Sequence, residues 1–218
     1  MNGRLWLAAA VCLVLSLLPW GPLLLYPFTL FTTWIHECSH AVIAVLTGGS
    51  VSAITIQPDT SGLTRSLMPA NRIAQGLVAS AGYVGASAVG CLLMAAARVD
   101  RRTRPILLGI GAFMLVTALL WMRNAFGIFV VVAWGLTLIA LARKGSGHAS
   151  RFFLSVLAIQ VALNAVYDIR ILFLVKGRSD AETMQRLFLA PAWLWAGAWM
   201  AISLAMLAWT LRMTRRGR

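Results

Sequence analysis

Phe28-Thr29-Leu30-Phe31-Thr32-Thr33-Trp34-Ile35-His36-Glu37-Cys38-Ser39-His40-Ala41-Val42-Ile43-Ala44-Val45-Leu46-Thr47 sets three ionisable side chains inside an apolar run. On a helix, residues four apart lie one above the other. His36 and His40 can therefore reach one metal, with Glu37 facing the open coordination position beside them. This is the H-E-x-x-H zinc pattern, in which the glutamate serves as base. The plain alternative is a packed histidine pair beside a stray acid. The setting argues against it, because polar groups at membrane depth are costly and default to function.

The rest of the composition agrees with that setting. The chain has 218 residues, of which 60% are hydrophobic and 11% charged, and its mean hydropathy is +0.82. Soluble domains average about 25% charged residues, so residues 1–218 read as one integral membrane domain with a hairpin insert at about 50–66. The lipid bilayer is its solvent, and the expected location is the bacterial inner membrane. The net charge of +13 sits in short clusters between apolar runs, such as Arg98 to Arg104 and Arg143 to Arg151. Such clusters suit loop ends next to anionic lipid, and no nucleic-acid module is visible. Cys12, Cys38 and Cys91 are odd in number and lie in apolar runs, so they indicate packing rather than a disulfide framework.

Read in order, the chain is an all-α polytopic membrane protein with about six to seven transmembrane helices and one short β-hairpin after the zinc-binding helix. Residues 5–20 form a retained first helix, since no small-x-small cleavage site precedes Pro19-Trp20-Gly21-Pro22. Pro27 lets the second helix begin near Phe28, and Gly48-Gly49 ends it. Ser50 to Gln57, the turn Pro58-Asp59-Thr60-Ser61-Gly62 and Leu63-Thr64-Arg65 make two short strands. Two roles remain open for them: a hairpin at the lipid headgroups, or one that binds substrate through the strand carrying Ile54 and Ile56. A third helix over 73–97 is rich in small residues around Ala81-Gly82-Tyr83-Val84-Gly85. That density serves close helix packing, or a groove that admits a substrate helix. Further helices are expected over 106–121, 125–141, 152–175 and 189–211, with His148 and the stretch 176–182 in polar loops.

A catalytic zinc takes three protein ligands. The acids are Glu37, Asp59, Asp100, Asp168, Asp180 and Glu182, and only Glu37 and Asp168 fall within apolar helices. Asp168 is the expected third ligand by elimination. Gln160, Asn164 and Asp168, at i, i+4 and i+8, form one polar stripe. Asn164 is placed to hold the carboxylate or a substrate carbonyl. The competing reading pairs Asp168 with Arg170 or another cation to satisfy a buried charge.

With these residues in view, the chain resembles the site-2 protease superfamily of intramembrane zinc metalloproteases, peptidase M50, and most closely its M50B-like branch. The resemblance rests on His36-Glu37-Cys38-Ser39-His40-Ala41 with Gly48-Gly49, the hairpin, Ala81-Gly82-Tyr83-Val84-Gly85, and Asn164-Ala165-Val166-Tyr167-Asp168. It implies zinc on His36, His40 and Asp168, Glu37 as catalytic base, Gly82 near the site, and membrane-spanning proteins as substrates. The third ligand stands here in Tyr167-Asp168-Ile169 rather than a Pro-Asp-Gly or Leu-Asp-Gly context, Gly82-Tyr83 replaces a Gly-Pro pair, and no PDZ-like domain is present. In the implied chemistry, zinc acidifies its bound water as the nucleophile and polarises the scissile carbonyl, while Glu37 moves the proton. The alternative class is a non-proteolytic zinc-binding membrane scaffold or metal-handling protein. It would have no use for Glu37.

Orientation pulls two ways. With seven spans and an external N-terminus, eleven Lys/Arg fall on the cytoplasmic side against seven opposite, as positive-inside counting prefers. The resemblance instead expects the hairpin to face the cytoplasm. A short or re-entrant segment near residues 20–28 or 106–121 would reconcile the two.

Overall fold

The computed structural model describes residues 3–173 and 179–216. Lys176, Gly177 and Arg178 of the expected polar loop and Arg218 of the tail lie outside them. The elements are α1 (Gly3–Leu17), α2 (Gly21–Leu46), β1 (Ser50–Ile56), β2 (Gly62–Leu67), α3 (Arg72–Ala96), α4 (Thr103–Leu120), α5 (Ala125–Lys144), α6 (Gly147–Ile171), α7 (Asp180–Phe188) and α8 (Ala192–Arg216). Among the described residues, α3, α4, α5, α6 and α8 are long and apolar enough to cross a membrane. The chain is a mostly helical polytopic membrane protein. α2 is 26 residues long, but its two histidines and glutamate lower its hydropathy, and α1 at 15 residues reaches only about 22 Å.

Several boundaries differ from the sequence expectation, each for a local reason. α2 begins at Gly21 with Pro22 in its first turn and runs through Pro27 instead of starting near Phe28. The Pro27 carbonyl accepts from Trp134 Nε1 at 3.1 Å, which ties α2 to α5. α6 starts early because Ser146 Oγ caps it, accepting from the Ala149 N–H. His148 is thereby in the first turn, exposed. The stretch 176–182, expected as a loop, holds the start of α7, capped by Ser179, whose hydroxyl accepts from the Glu182 N–H at 3.3 Å. Ser179-Asp180-Ala181-Glu182 has the S-x-x-E form of a capping box.

α3 is the centre of the bundle, and its small residues are why. A Cβ on Gly90 would stand 2.9 Å from the Ala162 nitrogen of α6, and Ser87 Oγ bonds Ser203 Oγ of α8 at 2.7 Å. Ser87 and Gly90 thus serve packing against the protein's own helices, while Ala81, Val84 and Gly85 line an apolar cavity of about 630 Å³ shared with α2 and α4. α4 is tied to α2 where Trp34 Nε1 donates to the buried Thr117 Oγ1 at 3.1 Å.

β1 and β2 pair antiparallel, with Ile54 opposite Thr64 and Ile56 opposite Gly62. The hairpin packs against α2. Its turn folds back along α2, where Thr33 Oγ1 donates to the Thr60 carbonyl at 2.8 Å and Tyr26 Oη to that of Pro58 at 2.6 Å. Its base adjoins the end of α2, where the Gly49 N–H reaches the Ala44 carbonyl at 2.8 Å. The strands therefore run alongside the metal-pattern helix, at the depth of Glu37.

Candidate metal centre

α2 delivers His36 and His40 one turn apart, as their spacing requires, and their Nε2 atoms lie 3.0 Å from each other. The His40 Nδ1 is 2.6 Å from the Val78 carbonyl of α3. A carbonyl can only accept, so Nδ1 carries the proton and Nε2 keeps its lone pair free for a metal. The His36 ring stands edge-on to Tyr83, with centroids 4.6 Å apart, and Tyr83 stacks on Trp199 at 5.1 Å. One histidine is thus oriented by a backbone acceptor and the other by an aromatic wall.

The carboxylate that meets them is Asp180. Its Oδ2 lies 3.3 Å from His36 Nε2 and 3.2 Å from His40 Nε2, and these three residues form a group able to hold a metal ion. Burial by itself raises the Asp180 carboxyl; the hydrogen bonds and positive charge that His36 and His40 supply when protonated outweigh it and hold the group well below the usual carboxylate range. Hydropathy set Asp180 aside because it lies in a polar stretch. The capping box that starts α7 was the available signal, since it places Asp180 at the beginning of a helix.

The expected third ligand, Asp168, lines the same cavity of about 650 Å³, but its carboxylate is not in the close group with the two histidines. The reason lies in the packing: α7 projects Asp180 between the two imidazoles from the end of the bundle, whereas Asp168 belongs to the side wall. The expected pairing with Arg170 is also absent among the described ion pairs, and Arg170 is exposed. Residues two apart do not face each other on a helix. Asn164 does not hold Asp168: its Nδ2 donates to Thr32 Oγ1 at 3.3 Å, tying α6 to α2. Gln160 is buried deeper in the same stripe at 3% exposure, away from the metal group.

Glu37 is 5% exposed and is clasped by the hairpin. Thr64 Oγ1 lies 2.7 Å from Glu37 Oε2 and 2.9 Å from the Glu37 carbonyl. A Cβ on Gly62 would fall 2.5 Å from Glu37 Oε1, so only glycine leaves the carboxylate its place.

Ile54 and Ile56 are 0% exposed and form core rather than a surface that touches a ligand. The outer edge of β1 is also taken. The Ile54 N–H donates to the Trp121 carbonyl at 2.7 Å, and the Arg123 N–H to the Ile54 carbonyl at 3.0 Å. The Asn124 side chain brackets Ile56, accepting from its N–H at 3.2 Å and donating to its carbonyl at 2.7 Å. The link between α4 and α5 thus pairs with β1 through a single parallel bridge, Met122 with Ile54.

Gly82 is the sequence expectation with the most direct geometric reason. A Cβ there would overlap His36 Nε2 and lie 2.5 Å from His40 Nε2. Gly82→Ala is expected to push the imidazoles apart and weaken metal binding by at least the roughly 10- to 100-fold typical of a lost outer-shell partner. Metal retained after dialysis against a graded chelator series measures this. Wild-type retention would show that the histidines do not need this clearance.

Residues 6–210 match the family model described as Peptidase M50B-like. No curated protein and no solved structure matches the chain.

Proposed function

The chain belongs to the Peptidase M50B-like family, and on that premise we propose that it is an intramembrane zinc metalloprotease of the bacterial inner membrane. His36, His40 and Asp180 hold the metal, and Glu37 is the general base. The observation that carries this reading is the triangle of donor atoms, with sides of 3.0, 3.3 and 3.2 Å. Zinc bonds of about 2.0–2.1 Å in tetrahedral geometry set neighbouring donor atoms roughly 3.3 Å apart. The three atoms match one face of such a tetrahedron, and two histidines with one carboxylate are a hydrolytic zinc donor set. When bound, zinc supplies Lewis-acid polarisation of a carbonyl and acidification of water.

The chain's own groups do the rest. Glu37 takes a proton from the attacking water as its oxygen adds to the carbonyl carbon, then passes it to the nitrogen as the C–N bond breaks. Thr64 and Gly62 hold the carboxylate in that position, and the Val78 carbonyl holds His40 in the tautomer a metal needs.

A membrane-spanning substrate must be locally unwound, because a helix hides its carbonyls in hydrogen bonds. With the outer edge of β1 occupied, an extended segment has the edge of β2 to add to. Ile54 and Ile56 turn their N–H and carbonyl groups away from β2. By antiparallel alternation, Thr64 and Gly62 opposite them turn theirs to the free edge. A peptide pairing there would lie beside Glu37.

The reading is tested by metal removal. Purified protein should contain zinc and cleave a model membrane helix, lose cleavage on chelation and regain it with added zinc. Zinc-loaded, folded protein that cleaves no such helix would favour the non-proteolytic scaffold.

A further inference from the structure

We propose that the Tyr83 hydroxyl is a catalytic hydrogen-bond donor, which meets the carbonyl oxygen of the scissile peptide bond as that oxygen gains negative charge. This role rests on the protease reading above.

Tyr83 stands near the middle of α3, a 25-residue apolar helix, one position after Gly82, whose missing Cβ leaves room for both imidazoles. Its ring is held from two sides. His36 lies at a centroid distance of 4.6 Å with the ring planes 86° apart, and the buried Trp199 of α8 stacks at 5.1 Å, only 16° from parallel. Tyr83 also packs against the cluster of Ala79, Ile169, Met184 and Trp199, which joins α3, α6, α7 and α8. The phenol is thereby fixed beside one histidine of the metal group.

Packing accounts for the ring and leaves the hydroxyl over. A tyrosine packed into an interior usually finds a partner for its O–H, and an unmatched polar group in an apolar bundle is costly. Among the described residues the Tyr83 hydroxyl has no hydrogen-bond partner, and the groups that act on it are the charges of Asp180, Asp168 and Glu37. Tyr83 lines the same cavity as these three acids and both histidines. Phenylalanine would serve equally well between His36 and Trp199. The oxygen is the part of the side chain with no structural use, and it belongs to the wall of the cavity that a substrate would enter.

Other donors around that cavity are committed. Thr64 Oγ1 donates to Glu37 Oε2 at 2.7 Å, Thr33 Oγ1 to the Thr60 carbonyl at 2.8 Å, Gln75 Nε2 to the Pro69 carbonyl at 3.0 Å and Thr183 Oγ1 to the Ser179 carbonyl at 3.2 Å. Tyr83 offers a neutral donor beside the metal group that no described residue uses.

As the water oxygen adds to the carbonyl carbon, the π pair of the C=O bond moves onto the carbonyl oxygen. A donor already held near that oxygen needs no reorganisation when the charge appears. Tyr83 keeps its proton throughout. When the C–N bond breaks, the pair returns to re-form C=O, and the proton held by Glu37 goes to the nitrogen. Hydrogen bonds to an ionised acceptor are stronger than those to a neutral one, so the hydroxyl acts on kcat rather than on KM.

The test compares Tyr83→Phe with the wild type, each as the full zinc-loaded chain cleaving a model membrane helix. Phenylalanine keeps the ring between His36 and Trp199. Zinc content and thermal stability should stay near wild type, KM should change little, and kcat should fall by about 10²- to 10³-fold, as removal of one oxyanion donor does. A phosphinic peptide with the sequence of the same helix, whose tetrahedral phosphorus mimics the charged stage without being cleaved, should bind Tyr83→Phe more weakly by a similar factor in a calorimetric titration. Tyr83→Leu removes the ring as well: a wall alone predicts a normal Phe variant and an impaired Leu variant. A wild-type kcat in zinc-loaded Tyr83→Phe, equal affinity of both proteins for the phosphinic peptide, an effect confined to KM, or loss of zinc from the Phe variant would each overturn the proposal. Normal cleavage by Tyr83→Phe removes this role alone, whereas zinc-loaded wild type that cleaves no helix removes the protease reading and this role with it.

Discussion

Glu37→Gln is expected to lower cleavage by roughly 10²- to 10⁴-fold while leaving zinc content and thermal stability near wild type. Glutamine keeps the shape and one oxygen, so Thr64 Oγ1, 2.7 Å from Oε2 in the wild type, retains an acceptor. What disappears is the basic oxygen that removes a proton from water. Glu37 is not in the close donor group of His36, His40 and Asp180, which is why metal content and rate should separate. Kinetics on a model membrane helix, with zinc stoichiometry from the same preparation, measure both. Cleavage at the wild-type rate by a zinc-loaded Glu37→Gln variant would remove Glu37 from the mechanism.

Asp180→Ala is expected to lose most bound zinc and essentially all cleavage, because two histidines remain where a catalytic zinc takes three protein ligands. The loss should exceed the ~10- to 100-fold typical of removing an outer-shell partner. Asp168→Ala is the informative partner, as it lines the same cavity without touching the two imidazoles. It should keep zinc, with cleavage changed through the cavity wall. Zinc stoichiometry and thermal stability of both variants decide between the carboxylates. Full zinc occupancy in folded Asp180→Ala, with loss in Asp168→Ala, would return the third position to α6.

The two carboxylates show how far a linear reading reaches. Elimination by hydropathy assumed that a ligand to a membrane-embedded metal must itself come from an apolar helix. α7 offers a carboxylate that this assumption leaves out: it is a nine-residue amphipathic helix that brings Asp180 within 3.3 Å of both imidazoles. Its capping box was readable in Ser179 to Glu182, but a cap identifies a helix start and says nothing of what the helix covers. The hairpin was legible for a similar local reason, since β-branched residues flank a Pro-Asp-Thr-Ser-Gly turn. That its turn runs back along α2 depends on partners 27 and 32 positions away, and that Trp121 to Asn124 close the β1 edge depends on partners as far as 68 positions away.

By itself, the sequence determined whatever one stretch of backbone geometry enforces. Helical spacing put His36 and His40 on one face with Glu37 beside them, hydropathy made the chain a membrane protein, and turn residues made the hairpin. Only the tertiary structure shows that Asp180 lies in the close group with the two histidines while Asp168 lines the cavity beside it, and that the outer edge of β1 is taken. The physical reason is range. Backbone dihedrals and helical period act over a few residues, whereas a close group of side chains is assembled by whatever packing brings together, here across 140 positions from His40 to Asp180.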